Sequence, residues 1–179
     1  MTKQEKLMKK FFAAVLVLGS SLLAKESAAQ GKDIVDIAVG SPAHTTLVAA
    51  VKAADLVTTL KSKGPFTVFA PTNDAFGKLP AGTVESLLQP ENKASLTAVL
   101  TYHVVAGNLG SKEVVEAIKK GNGSAVVTTV QGGKLTLSLD GAKVKVTDAN
   151  GNSAYVTAVD LKGTNGVIHV IDAVVLPKS

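Results

Sequence analysis

Residues 64–76 read GPFTVFAPTNDAF and hold three of the five phenylalanines and two of the six prolines of the chain. Residues 66–70 have the composition of a β-strand, which Pro71 interrupts. The following Thr-Asn-Asp of residues 72–74 supplies side-chain oxygens that favour a helix N-terminus. A strand that turns so abruptly into a helix leaves its large side chains little freedom. We therefore predict that the domain packs around this stretch, with Phe69 in its core.

Residues 1–29 are predicted to be a signal peptide. Four lysines and one acid precede an apolar run over residues 11–24, which is too short to span a bilayer. The small residues Ser27-Ala28-Ala29 suit cleavage after Ala29, and an uncleaved anchor is the alternative. The predicted remainder, residues 30–179, is a single domain with no further membrane span.

The charge of the chain depends strongly on this first segment. The whole chain has 19 lysines, no arginine and 14 acids, and residues 30–179 keep 14 lysines and 12 acids, a net charge of +2. Bidentate contacts to phosphate and guanine are built mainly from arginine, so we expect no nucleic-acid partner. The chain has no cysteine, and its stability must therefore come from packing.

The hydrophobic period changes along the chain. Apolar residues at helical spacing predict short helices within residues 33–60, 72–100 and 111–121, and residues 101–105 are expected to be strand-like. From residue 126 onward, alternating Val, Ile, Leu and Thr are separated by turns that contain Asp-Gly or Asn-Gly, which are strong hairpin signals. Helices followed by an antiparallel meander indicate the α+β class.

Three blocks resemble the signature of the fasciclin-domain family. Residues 67–76 (TVFAPTNDAF) resemble its first block, and residues 165–177 (NGVIHVIDAVVLP) resemble its second. Between them, Tyr102 and His103 match the Tyr-His pair of the family. The blocks stand in the order of the family, and the resemblance covers residues 32–177.

This resemblance implies a fasciclin-like fold, in which an antiparallel β-wedge packs with a bundle of short helices. It also implies an exported protein of adhesion and matrix contact, without an enzymatic reaction. In animal members, an Asp-Ile pair before the second block and the segment around Tyr-His are linked to integrin recognition. The aligned pair here is Asp160-Leu161, in which Leu replaces Ile. The candidate partner-binding residues are therefore Tyr102, His103, Asp160 and Leu161, and we expect replacement of Asp160 to have little effect on folding.

The three histidines are expected in two environments. His103 and His169 lie in apolar runs, which favours buried rings with nitrogens bonded to backbone or hydroxyl groups. His44, beside Pro42 and Thr45, is expected to be exposed.

Patterns typical of catalysis or of metal and cofactor binding are missing from the sequence. No two histidines have metal-ligand spacing, and no serine has the Gly-x-Ser-x-Gly setting of a nucleophile. Residues 148–152 (DANGN) resemble a calcium loop but lack its distal glutamate, so we predict a hairpin turn. We predict a non-enzymatic protein without metal or cofactor.

Six lysines allow two interpretations. They form a basic face or guard exposed strand edges, and the edge interpretation is favoured; their positions are 119, 120, 134, 143, 145 and 162.

Two functions are open. The first is an adhesion module, secreted or periplasmic, that binds a surface protein or polysaccharide as a monomer or weak homodimer. The second is a carrier of an apolar small molecule such as a carotenoid or lipid. The chain is 46% hydrophobic but only 4% aromatic, a composition that offers aliphatic surfaces and equally builds a core.

Overall fold

The computed structural model describes residues 31–178, so the predicted signal peptide and its cleavage site lie outside the described residues. Short helices surround one end of a seven-stranded sheet. The helices are α1 (Ile34–Val39), α2 (Thr45–Ala53), α3 (Val57–Leu60), α4 (Asn73–Gly77), α5 (Thr83–Leu87), α6 (Lys93–Tyr102) and α7 (Ser111–Lys120). The strands are β1 (Phe66–Pro71), β2 (Val104–Ala106), β3 (Ser124–Thr128), β4 (Lys134–Asp140), β5 (Lys143–Thr147), β6 (Ser153–Gly163) and β7 (Gly166–Ile171). Single 3₁₀ turns, Pro42–His44 and Pro90–Asn92, precede α2 and α6.

The sheet has the strand order β2-β1-β7-β6-β5-β4-β3. Its two outer strands approach each other, because Val105 pairs with Thr129 and the Val130 N–H donates to the Val104 carbonyl over 2.7 Å. The sheet is therefore nearly closed into a barrel. This architecture confirms the predicted α+β class.

Two details of the sheet differ from the sequence prediction. Strands β1 and β7 run parallel, with Phe66 opposite Gly166 and Pro71 opposite Ile171, so the sheet is not wholly antiparallel. Tyr102 ends helix α6 and β2 begins only at Val104, because the apolar spacing of α6 continues further than the β-prone composition suggests. The β1–β7 pair joins the two signature blocks directly.

The close approach of β1 and β7 requires a glycine at position 166. A Cβ atom there would lie 2.1 Å from the Phe66 carbonyl oxygen, which is an impossible contact with backbone. Next to it, the side chain of Asn165 accepts from the Ile34 N–H over 3.1 Å and donates to the Leu60 carbonyl over 2.7 Å. One asparagine thereby fixes the start of α1 and the end of α3 to the start of β7.

Polar residues of the first block have similar bridging roles. Thr72 caps α4 by accepting from the Ala75 N–H over 3.2 Å, as the sequence predicts. The neighbouring Asn73 caps a different helix, since its side-chain oxygen accepts from the Thr46 N–H at the start of α2 over 3.0 Å. The first block thus connects strand β1 with helix α4 and with the start of helix α2.

Two apolar clusters fill the domain. One lies between the helices α1–α6 and the strands β1, β2 and β7. The other lies inside the curled sheet beneath α7, and it contains Phe69, which is 1% exposed. The predicted core position of Phe69 is therefore confirmed.

Candidate interaction surface

The Tyr102-His103 pair, predicted to contact a partner, is buried. Tyr102 is 0% exposed and His103 is 2% exposed. The Tyr102 hydroxyl donates to the Lys134 carbonyl over 2.7 Å and accepts from the Ala149 N–H over 3.0 Å. It therefore fastens α6 to the first residue of β4 and to the β5–β6 turn. Neither side chain reaches the surface, so both residues have a structural role within the domain, and partner contact by this pair stays a prediction.

His103 has an equally internal role. Its Nε2 atom accepts from the Val175 N–H over 3.2 Å, so the proton lies on Nδ1, which donates to the Val99 carbonyl over 2.8 Å. Burial lowers the pKa of His103 to about 4, since the charged ring would lose its hydration. The neutral ring thus joins α6 to the C-terminal segment.

His169 completes this internal network. Its Nε2 atom lies 2.6 Å from the Leu109 carbonyl, its Nδ1 atom lies 3.4 Å from the Asp160 N–H, and its ring packs on Phe69 with centroids 5.8 Å apart. The ring is 2% exposed. The sequence predictions for His103 and His169, which placed both in the core with backbone partners, are confirmed.

His44 is buried, whereas the sequence analysis predicted that it would be exposed. The 3₁₀ turn directs its ring inward, where 5% of the residue is exposed, and Ser41 Oγ lies 2.8 Å from Nδ1. The Nε2 atom lies near the Ala70 backbone without a hydrogen bond of good geometry. Burial is the main cause that lowers the pKa of His44.

Asp160 caps a helix that is distant in sequence. Its carboxylate accepts from the Ser111 N–H over 2.7 Å and from the Ser111 hydroxyl over 2.5 Å, at the N-terminus of α7. These bonds lower the pKa of Asp160. The residue has a left-handed backbone, with φ of +58°. The carboxylate is therefore occupied within the domain, whereas the adjacent Leu161 is 38% exposed.

Replacing Asp160 by Ala is expected to lower the free energy of unfolding by about 1–3 kcal/mol, as measured by urea unfolding. The reason is the loss of two hydrogen bonds to a charged acceptor at a helix N-terminus. This revises the sequence expectation that Asp160 matters little for folding.

Asp160→Asn is the matched control for that prediction. Asparagine tolerates the left-handed backbone and keeps an acceptor for the Ser111 N–H, so it should lose less than half as much stability. An alanine variant that unfolds like the parent would contradict the capping role.

The outward face of strands β3 to β6 is a surface of mainly polar residues. The inward residues of these strands include Leu135, Leu137 and Val146, which are fully buried. The residues that alternate with them point to the opposite face and stand in register across the four strands. We name as the hydroxyl–lysine face the residues Ser124, Val126, Thr128, Lys134, Thr136, Ser138, Asp140, Lys143, Lys145, Thr147, Ser153 and Tyr155.

The lysines of this face do not guard strand edges. Lys143 and Lys145 lie on β5, which is paired on both sides, and Lys134 lies on β4, which is also internal. The outer strand β3 (Ser124–Thr128) has no lysine at all. The edge interpretation from the sequence is therefore wrong, because the strand order places these lysines in the middle of the sheet.

The charges of the face are mostly positive and unpaired. Among residues 31–178, Lys134, Lys143 and Lys145 have no carboxylate within 4.0 Å. The single acid of the face, Asp140, accepts from the Tyr155 hydroxyl over 2.9 Å. That hydrogen bond to a carboxylate raises the pKa of Tyr155. The face therefore offers hydroxyl groups and a net positive charge.

The loop at residues 148–152 is a hairpin turn. The Asp148 carboxylate accepts from the N–H groups of Asn150 and Asn152, each over 2.9 Å, and from the Leu176 N–H over 3.0 Å. Both oxygens are thus occupied by donors of the chain. Within residues 31–178, no cluster of three or more His, Asp or Glu side chains is placed to hold a metal ion.

Comparison with known proteins identifies the family. The model of the Fasciclin domain matches residues 42–177, which is most of the chain. The insect cell adhesion molecule Fasciclin I, solved as a FAS1 domain pair, shares the fold with a TM-score of 0.71 at 18% identity, over 81% of this chain and 51% of that one. The chain belongs to the fasciclin-domain family.

Relatives come from both bacteria and animals. Protein sll1483 of Synechocystis is 49% identical over 158 residues, covering 88% of this chain and 81% of that protein. The immunogenic protein MPB70 of Mycobacterium bovis is 38% identical, covering 78% of this chain and 66% of that protein. The pig transforming growth factor-beta-induced protein ig-h3 is 37% identical over 80% of this chain, which spans only 19% of that longer protein.

Proposed function

We propose that this protein is an exported, non-enzymatic adhesion module whose hydroxyl–lysine face binds an acidic polysaccharide. The observation that supports this most directly is the register of that face. One row reads Val126, Thr136, Thr147 and Ser153, and the next reads Ser124, Ser138, Lys145 and Tyr155. At the usual spacing between strands, each row spans about 14 Å. Polar groups at regular intervals suit a repeating ligand.

The chemistry of the face favours a polysaccharide that carries negative charge. Serine and threonine hydroxyls both donate and accept hydrogen bonds, as sugar hydroxyls do. Lysines 134, 143 and 145 add a positive potential that attracts carboxylated or sulfated sugars. A neutral polysaccharide would use only the hydroxyl groups of the face and not its lysine charges.

Export and oligomeric state belong to the same proposal. A signal peptide at residues 1–29 would deliver the domain to the periplasm or the exterior. No helix within residues 31–178 has the length and apolar character required to cross a bilayer. The contact between the outer strands β2 and β3 supports a monomer, because it leaves little free edge for pairing with a second copy.

A protein partner is the second candidate. Near the end of β6, Val159 is 46% exposed and Leu161 is 38% exposed. For a protein partner, Leu161 makes the contact, and Asp160 positions strand β6 through its hydrogen bonds to Ser111.

Replacing Lys143 and Lys145 together by Gln is expected to weaken binding of the full-length protein to alginate about tenfold at low salt. Each lysine of the pair contributes up to about 1 kcal/mol to such a contact. Affinity is measured by calorimetry with alginate and with uncharged dextran. Parent binding to alginate should weaken as salt is raised, because the charges become screened.

The matched control replaces Lys119 and Lys120 by Gln. This pair has the same charge but lies at the end of α7, which covers the inner side of the sheet. It should bind alginate like the parent. Equal losses from both pairs would indicate attraction by net charge alone and contradict a defined face.

A further inference from the structure

An apolar cavity of about 220 Å³ lies between the N-terminal helices and the sheet. Helices α1, α2 and α3 and strands β1 and β7 form its walls, with Ile34, Val51, Val68 and Ile168 among the lining side chains. The cavity is open to solvent on one side, and its lining is almost wholly apolar. A concave apolar pocket with a few polar groups at its edge is a candidate ligand site.

The walls are unsuited to water. A buried water requires two to four polar partners, and aliphatic cavities of about 150 Å³ stay dry and accept apolar molecules. His103 also lines the cavity, but both ring nitrogens are already bonded to the backbone of Val99 and Val175. The ring consequently presents only carbon to the cavity. An apolar occupant fits these walls best.

The mouth of the cavity has an asymmetric charge. Asp36, Lys52 and Lys61 lie there, and Lys61 is bonded to Asp33 over 2.9 Å and to Asp36 over 2.7 Å. Lys52, in contrast, has no carboxylate within 4.0 Å among residues 31–178. One positive charge at the mouth is thus available to an anion.

We propose that this cavity binds the end of a single hydrocarbon chain whose anionic head group pairs with Lys52. At about 30 Å³ per group, the cavity has room for about seven methylene-sized groups. It is too small to enclose a whole carotenoid. Val39, which lines the cavity and is 55% exposed, continues the apolar wall outside the mouth, so longer chains extend along it. The site is independent of the hydroxyl–lysine face.

A series of straight-chain fatty acids tests the cavity itself. Affinity of the full-length protein is measured by calorimetry for acids from butanoate to dodecanoate, below the concentrations at which they form micelles. Burial of each methylene should raise affinity about fourfold until about seven are enclosed, and the gain should then diminish. Absence of binding, or affinity that does not depend on chain length, would overturn the proposal.

Variants test the two ends of the site. Ala38→Phe places a ring in the cavity from the partly exposed end of α1 and should weaken octanoate and octan-1-ol at least tenfold. Val48→Phe, from α2, provides a second filling variant if the first unfolds. Lys52→Met should weaken octanoate about fivefold and leave octan-1-ol unchanged.

Lys112→Met is the matched control, because Lys112 is an exposed lysine on α7, outside the cavity lining. It should bind octanoate and octan-1-ol like the parent. Folded filling variants that bind both ligands like the parent would overturn the cavity assignment. Equal octanoate affinity in Lys52→Met and the parent would overturn the head-group assignment. Since alginate binding is measured separately, failure here leaves the sheet-face proposal standing, and the reverse also holds.

Discussion

Replacing Phe69 by Ala is expected to lower the free energy of unfolding by about 3–5 kcal/mol. The ring is 1% exposed and lies in the second apolar cluster, where it also packs on His169. Its removal leaves a cavity on the central β1–β7 pair, which cannot collapse because both strands are bonded to neighbours on each side. Urea unfolding followed by circular dichroism gives the free energy.

Phe66→Ala is the matched control for that prediction. Phe66 lies on the same strand but is only half-buried, at the end nearest Gly166. Its replacement should cost less than half as much as that of Phe69. Equal losses at the two positions would contradict the placement of Phe69 at the centre of the cluster.

Acidification from pH 6.5 to pH 4 is expected to reduce the stability of the domain by about 3 kcal/mol through His103. The unfolded chain takes up a proton on this ring below about pH 6.5, whereas the folded chain, with its pKa of about 4, does not. Stability is therefore constant above pH 6.5, falls as the pH drops through this window, and levels off below pH 4. The lowered pKa of His44 adds a contribution of the same sign.

His103→Gln isolates the contribution of that ring. The variant is expected to be less stable at every pH. Its stability should fall less steeply between pH 6.5 and pH 4, because its unfolding takes up about one proton fewer than unfolding of the parent. The carboxylates of Asp33 and Asp160, whose pKa values are lowered, lose their contribution only at lower pH. Identical pH slopes in parent and variant would show that His103 is not held neutral.

The elements of this fold follow closely from local sequence. Apolar spacing identified the short helices, and Asp-Gly and Asn-Gly turns identified the meander, because both signals act over a few residues. The Thr72 cap was visible for the same reason. At residues 101–102, β-prone composition competed with the helical spacing of α6, and packing of the helix prevailed.

What the sequence did not reveal depends on contacts between distant residues. The capping of α7 by Asp160 and the bridging by Asn165 join segments that are 49 and up to 131 residues apart. The parallel pairing of β1 with β7, and the central position of β5 with its lysines, likewise depend on strand order. For Asp160, the one local signal was a charged residue between the apolar Val159 and Leu161.

The family motif was therefore informative about identity, and its Tyr-His pair is part of the internal structure of the domain. Tyr102 and His103 stand out in the sequence, yet their polar atoms are bonded to the backbone of β4, the β5–β6 turn and the C-terminal segment. The residues that we propose to contact a partner have ordinary types, mainly lysine, serine and threonine, and they stand in register across the sheet.

A single binding comparison distinguishes most directly between the structural role of Tyr102 and the proposed binding role of the hydroxyl–lysine face. The alginate affinity of Tyr102→Phe is measured beside that of the double variant Lys143→Gln, Lys145→Gln, at a temperature where both are folded. We predict that Tyr102→Phe binds within about twofold of the parent and that the double variant binds about tenfold more weakly. Loss of binding in Tyr102→Phe with full binding in the double variant would contradict the assignment of function to the hydroxyl–lysine face.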